Sequence, residues 1–503
     1  MPKFKARVID ASIGRRIVLI NDVDARTLGL RSGDRVRIGY CDRLVLAIIE
    51  VGRALVNQGE VGIFNDVNAQ LKASNGDLIY IEQANIPESI KYIRKKMSGK
   101  QLSREEIFTI VRDVVNGDLS DLEIAAFLLA EEFHGMDLSE VIALTQAMVS
   151  TGLTLSFEEP VYDKHSIGGV PGNKVSLLIV PIVAAAGLII PKTSSRAITS
   201  PSGTADTMEV LAPVEFTAEE LKNIVKKVGG AIVWGGSLNL APADDIFIRI
   251  EHQLEIDPKS QMLASIMAKK LAVDANYVVI DIPTGKEAKV ETISEARKLA
   301  NDFVELGERL GVRIKCGITY GGQPVGHTVG PALEAREALK ALQGEGPASL
   351  IEKSTSLAGL LFEMGGYAPR GGGQDIAKKI LTSGKAYEKM KQIIETQGGK
   401  PNITPDEIPV GSKRIMVEAP CDGFITDVSN VAITAIARAA GAPVEKGAGI
   451  VLHGKRGYKV RKGEPILEIY AERESKLNEA YRIALTLKPV TIEGMLLYQY
   501  PEY

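Results

Sequence analysis

Asp163-Lys164-His165-Ser166-Ile167-Gly168-Gly169-Val170-Pro171-Gly172-Asn173-Lys174 is the stretch on which the reading of this 503-residue chain turns. It stands just before an apolar run, Leu177 to Ile190, that is interrupted by Pro181 and Gly187. Glycines let backbone amides approach an anion closely, and a helix N-terminus behind them adds a favourable dipole. The stretch reads as a phosphate cradle; for a glycine-rich segment taken alone, a tight turn between strand and helix is the alternative. It is not the P-loop of a nucleotide-triphosphate motor, because Asn173 stands five residues after Gly168 and Lys174 is followed by Val175.

The apolar run is too short to cross about 30 Å of hydrocarbon and reads as a buried element. Beyond it comes a second polar cluster, Lys192-Thr193-Ser194-Ser195-Arg196-Ala197-Ile198-Thr199-Ser200-Pro201-Ser202-Gly203-Thr204-Ala205-Asp206, with seven hydroxyls and one guanidinium. Such groups suit sugar hydroxyls and phosphate oxygens. A polar surface loop would explain this cluster alone. Two such clusters flanking one buried element point to a site.

Further out, residues 1 to about 85 alternate apolar and polar positions, as in Arg16-Ile17-Val18-Leu19-Ile20, and read as a small β-rich domain. Three helices follow Asn85-Ile86-Pro87, each announced by a capping residue three before a carboxylate: Ser103 with Glu106, Ser120 with Glu123, Asp137 with Glu140. Ile107, Ile110, Val111 and Val114 share one face of the first. From about Pro160 to Gln343, strands such as Tyr277 to Ile282 alternate with helical stretches such as Ile293 to Leu310, which is an α/β pattern. Glycine- and proline-rich stretches at 365–373 and 398–409 set off a last segment mixing strands with an alanine-rich helix. No internal repeat is evident.

Bulk composition is restrained. A formal net charge of -3 with 24% charged residues points to neither nucleic acid nor membrane, so any bound anion is caught locally. Cys41, Cys316 and Cys421 lie far apart with no CxxC pair, and no cluster has metal-ligand spacing. Met1-Pro2-Lys3-Phe4-Lys5 begins no signal peptide, so a cytoplasmic protein is expected.

Lys164 to Gly169, the Ser195-Arg196 loop ending in Gly203-Thr204-Ala205-Asp206, and Ala264-Ser265-Ile266-Met267-Ala268-Lys269-Lys270-Leu271 resemble the thymidine and pyrimidine-nucleoside phosphorylase superfamily. The resemblance runs from about Ile86 to the C-terminus. Its archaeal branch acting on nucleoside 5′-monophosphates matches best, over Ser166 to Lys174, Lys192 to Thr199, Leu238 to Asp245, Ile282 to Lys286 and Ile318 to Glu334. The additional N-terminal domain agrees, since the pyrimidine enzymes begin with the helical domain. There are departures. Where those enzymes carry an Arg that grips the base carbonyl, fifteen residues before the serine matching Ser265, this chain has Ile250, and Ser200 replaces their histidine. Losing a buried donor for a pyrimidine carbonyl discriminates against pyrimidines.

The implied fold is an α/β multidomain chain. It comprises a β-rich domain (1–85), a helical domain (86–158, joined by a segment near 245–275), a central α/β domain with a mixed sheet (159–345), a helical connecting segment (346–410) and an α+β C-terminal domain (411–503). The implied reaction is phosphorolysis of AMP to adenine and ribose 1,5-bisphosphate, with activity on CMP and UMP, in nucleotide salvage. The resemblance makes Asp257 the acid that protonates the leaving base, in a pocket to which Leu254, Ile256 and Met262 contribute. A helix cap before Pro258 is the plainer reading of that residue. It places Gly169, Ser195, Arg196, Ala197, Ile198, Thr199, Ser200, Thr204, Ser265 and Lys289 around the nucleotide, with Ser166, Ser176 and Lys269 as phosphate or base contacts. The mechanism does not rest on His165. Inorganic phosphate is a co-substrate and no metal or organic cofactor is expected. A homodimer through the helical domain is implied, with larger assemblies through the β-rich domain. The alternatives are a thymidine or pyrimidine nucleoside phosphorylase, an anthranilate phosphoribosyltransferase-like enzyme using magnesium, and a silent scaffold.

Overall fold

Valine and isoleucine at every second position of the first 85 residues fill the inside of a closed six-stranded barrel. In the computed structural model, which describes residues 2–197 and 199–496, its strands run around in the order Lys3–Ile9, Glu60–Phe64, Ile17–Asn21, Arg43–Gly52, Arg35–Tyr40 and Leu78–Gln83. Val18, Ile20, Val36, Ile38, Ile49, Val61, Ile63, Ile79 and Ile81 point inward, each at most 1% exposed. Burying such side chains contributes about 1.5–3 kcal/mol apiece.

The barrel overturns the expectation that no repeat is present. Strand, helix, turn and strand at 17–40 recur at 60–83: Asn21-Asp22-Val23 opens the helix Asp22–Leu28 as Asn65-Asp66-Val67 opens Asn65–Leu71. The two turns share a hydrogen bond and a glycine conformation. Asp34 accepts from the Arg31 amide at 2.7 Å and Asp77 from the Ser74 amide at 2.8 Å, and Gly33 and Gly76 have φ of 92° and 88°. Most other positions have diverged, so a scan for identity passes over them. The halves interlock: Lys3–Ile9 pairs in parallel with Glu60–Phe64 of the second half, and Arg43–Gly52 with Ile17–Asn21 of the first.

This barrel and the following helices belong to one of two compact units, which runs to Thr151 and includes Ala243–Met262. Helices Arg104–Asn116 and Leu138–Ser150 begin in full capping boxes. Ser103 Oγ and Asp137 Oδ1 accept from the amides of Glu106 and Glu140, and each glutamate accepts from the cap amide in return. At Asp121–His134 only the return arm forms, since both the amide and hydroxyl of Ser120 donate to Glu123. Ile107, Ile110, Val111 and Val114 are buried as their spacing requires.

The second unit comprises Gly152–Pro242 and the chain from Leu263 onward. Its sheet corrects the expected mixed pairing. Arg313–Tyr320, Ala275–Thr284 and Val161–Ser166 are parallel, as are Ile190–Ser194 and Gly230–Trp234, and a parallel Val161–Ile189 bridge joins the two sets. Each link from one of these strands to the next in sequence carries a helix, which returns the chain to the same edge and enforces parallel direction. The apolar run splits into helix Ser176–Ala185 and strand Ile190–Ser194, turning at Gly187, φ 83°. Helices Ala348–Met364 and Lys385–Thr396 pack on Ser176–Ala185, so 346–410 completes a layer beside the sheet. At the C-terminal end, two small antiparallel sheets and helices Asn430–Ala440 and Glu474–Leu487 share a core that includes Ile433, Ile436, Ile450, Leu467 and Ile469.

Candidate active site

In a parallel sheet the loops leaving the carboxyl ends of the strands form the binding edge. Here that edge carries Ser166 to Lys174 after one strand, Ser195 to Gly203 after the next, and Gly285 to Lys289 after the central one. Gly168, Gly169 and Gly172 have φ of 87°, 85° and 74°. A Cβ on Gly169 would lie 2.6 Å from the Lys289 amide nitrogen. Only glycine permits this approach, which brings the cradle loop and Lys289 together.

Beneath the loops lies a cluster of buried charge. Asp163 takes a 2.5 Å ion pair from Lys270, both side chains being almost fully buried. Asp281, on the central strand, accepts from Thr319 Oγ1 at 2.6 Å and Asn173 Nδ2 at 3.2 Å, with Lys353 Nζ at 3.1 Å and Lys164 Nζ at 3.7 Å. Burial alone would raise the Asp281 carboxyl, yet Lys353 and Lys164 hold it below the usual range. Burial pushes the Lys164 ammonium down to about 8 and holds Lys192 well below its usual value. His165 is driven well below its usual value by burial and then by Lys270, Lys192, Lys269 and Lys164. Lysines outnumber carboxylates at this edge, so an anion arriving there would favour their charged forms.

The hydroxyl loop is held from within. The Ala197 and Gly203 amides both donate to Asp206 Oδ2, at 2.7 and 3.0 Å. Arg196 donates to Glu209 at 2.6 Å and Glu215 at 2.9 Å and lies 4.9 Å over the Trp234 ring. Its guanidinium thus clamps the loop. Ser195 and Thr199 are exposed and Ser200 half-buried; Ile198 lies outside the described residues. Thr204 and Ser176 begin the helices Thr204–Glu209 and Ser176–Ala185, and Ser265 and Lys269 stand half-buried on Lys259–Ala272.

Hydrogen bonds from Arg196, with help from Lys446, hold the Glu209 carboxyl at about 2 against its own burial. A depressed carboxyl stabilises above its unfolded value and loses that contribution as pH falls through the folded one. The clamp should therefore loosen between about pH 4.5 and 2. Trp234, the single tryptophan, reports it: its fluorescence should titrate in that window, and in Arg196→Met the titration should be absent. An identical titration in the variant would remove the clamp as its cause.

In the first unit, Asp257 stands exposed, two residues before Lys259–Ala272. Of the residues expected to give it a partly apolar pocket, Leu254 is 37% exposed and Ile256 and Met262 are half-buried. Glu255, just after the preceding helix, is left-handed at φ 53°. Ile250 is buried, and Arg249 is bound bidentately by Asp121 at 2.9 and 3.1 Å.

Sequence reading missed Asp163, Lys270, Asp281 and Lys353. Asp281 was findable: an aspartate inside Val278-Val279-Ile280-Asp281-Ile282 is a buried charge that demands partners. Among the described residues there is no group of three or more His, Cys, Asp or Glu able to hold a metal, and no helix is long and apolar enough to cross a membrane.

Comparison with known proteins agrees with this construction. The family profile described as glycosyl transferase family, helical bundle domain, matches residues 90–152; the corresponding a/b domain matches 158–387; and the pyrimidine nucleoside phosphorylase C-terminal domain matches 424–487. A solved anthranilate phosphoribosyltransferase from Thermus thermophilus shares the fold, with TM-score 0.50 and 22% identity over 61% of this chain and 98% of that one. The matched family models and the relatives that follow define the class, a phosphorylase of the pentosyltransferase type. Full-length relatives narrow it. The AMP phosphorylase of Thermococcus kodakarensis is 56% identical across 98% of this chain and 99% of its own. That of Pyrococcus furiosus is 54% identical over 98% of both chains, and that of Methanothrix thermoacetophila 52% over 99% of this chain and 98% of its own. The chain belongs to the AMP phosphorylase family.

Proposed function

We propose that this protein catalyses phosphorolysis of AMP, giving adenine and ribose 1,5-bisphosphate with inversion at the anomeric carbon, and that CMP and UMP are further substrates. Phosphate oxygen forms the new bond to the anomeric carbon as the bond to the base nitrogen breaks, and Asp257 delivers the proton that neutralises the departing base. Gly169, the Ser195 to Ser200 loop, Thr204, Ser265 and Lys289 hold the nucleotide, and Ser166, Ser176 and Lys269 meet phosphate or base. Positioning does most of the work, and the reaction needs no metal or organic cofactor.

The observation that carries this reading is the excess of buried lysine over aspartate at the carboxyl edge of the parallel sheet. Whole-length similarity to enzymes named AMP phosphorylase supports AMP as the nucleotide. The C-terminal profile favours a second reading, a pyrimidine nucleoside phosphorylase. Incubation with AMP, adenosine or thymidine, with and without phosphate, followed by chromatography, decides between them. Adenine released from AMP only with phosphate supports the first; reaction of thymidine or adenosine but not AMP overturns it.

The protein acts in the cytoplasm as a homodimer, and the barrel joins dimers into larger assemblies. Light scattering of the full chain and of one lacking residues 1–84 should give different numbers of subunits per assembly, and equal numbers would refute the barrel's role.

A further inference from the structure

We propose that Asp281 is a positioning residue for the phosphate nucleophile: through Asn173 it fixes the Ser166 hydroxyl so that its single proton is left to donate to phosphate. This rests on the phosphorolysis reading above and adds a residue that would touch neither substrate.

Ser166 Oγ accepts from Asn173 Nδ2 at 3.0 Å and from the Gly168 amide at 3.5 Å. A hydroxyl has two lone pairs and one proton. With both lone pairs engaged by donors, the proton must point elsewhere, toward an acceptor that the lysine-rich edge attracts. Asn173 acts this way only if its amide nitrogen faces Ser166. Asp281 enforces that orientation, because the same nitrogen donates to Asp281 Oδ2 at 3.2 Å, and a carboxylate offers no proton to an amide oxygen.

Asp281 is itself held from three elements. Thr319 donates from the adjacent strand at 2.6 Å, Lys353 reaches it from Ala348–Met364 at 3.1 Å, and Lys164 of the strand that ends at Ser166 stands 3.7 Å away. The Ile167 amide donates to the Asp281 carbonyl at 3.1 Å, tying the start of the cradle loop to the same residue. The carboxylate is fully buried, so its partners are fixed by packing. Ser166 is the last residue of its strand, where the cradle loop begins; an unsupported hydroxyl there would rotate freely, and loss of a catalytic group's orientation costs rate and affinity out of proportion to the distance moved.

The test is a set of variants of the full-length protein, with initial rates measured against AMP and against phosphate separately. Asp281→Asn should raise KM for phosphate roughly 10- to 100-fold, with KM for AMP held within about twofold. Asn173→Ala should act in the same direction. In a Ser166→Ala background, Asn173→Ala should add less than about twofold, because the hydroxyl it orients is gone. Calorimetric titration with inorganic phosphate reads the same loss without turnover. If Asp281→Asn does not fold, Thr319→Val and Asn173→Ala carry the test.

Effects of Ser166→Ala and Asn173→Ala that simply multiply, or equal rises in both KM values, would overturn the positioning role. So would unaltered phosphate affinity in the variants. Failure of the unaltered chain to release adenine from AMP with phosphate would instead overturn the functional reading.

Discussion

Asp257→Asn should lower kcat by about 10²- to 10⁴-fold, the usual contribution of a positioned general acid, while thermal stability stays near that of the parent. The two expectations separate the proposed role from its plainer rival. Asn keeps the shape and a hydrogen-bonding oxygen but cannot deliver a proton to a leaving base. Asn also remains a good helix-capping residue, so if Asp257 merely supported the start of Lys259–Ala272, the substitution would be nearly silent. Its exposure makes a large stability loss unexpected. Steady-state rates with saturating AMP and phosphate, alongside calorimetric melting, decide the matter: a variant retaining more than about a tenth of parental kcat is not missing its acid.

The second large effect is on stability. Asp163 and Lys270 form an ion pair of 2.5 Å with side chains at most 1% exposed, and removing one partner leaves the other charge buried and uncompensated. Asp163→Ala or Lys270→Met should therefore cost about 3–5 kcal/mol. The cost comes from the stranded charge rather than from any large net value of the pair, so Asp163→Leu combined with Lys270→Met should recover much of the loss. Urea unfolding of the three variants checks this; single substitutions that shift the midpoint no more than a surface change would refute it.

How much of this was legible beforehand depended on the range of the signal. Capping boxes at Ser103 and Asp137 and the helix Ile293–Leu310 are written in a few adjacent residues, and the structure has them as read. The cradle glycines read as a place of close backbone approach, and Gly168, Gly169 and Gly172 take positive φ there. Sheet direction did not: a buried strand such as Ala275–Thr284 is apolar whether its neighbours run parallel or not, and only the chain connections decide. The partners of Asp281 come from positions 164, 173, 319 and 353, a set that no local pattern links. The surroundings of Asp257 are hard to read for a related reason: apolar neighbours in sequence say nothing of direction, and one left-handed residue, Glu255, follows the helix end.

The interlocked barrel has a consequence for the order of events as the chain is made. Lys3–Ile9 pairs with Glu60–Phe64 and Leu78–Gln83, so it must wait for strands that are made well after it. Its contacts are distant in sequence and their closure is correspondingly slow. The helices from Ser89 onward draw on local hydrogen bonds and neighbours a few turns away, which form far sooner. On a ribosome Lys3–Ile9 is thus expected to settle late although it is made before its partners, and for that interval it is a part of the chain in need of protection.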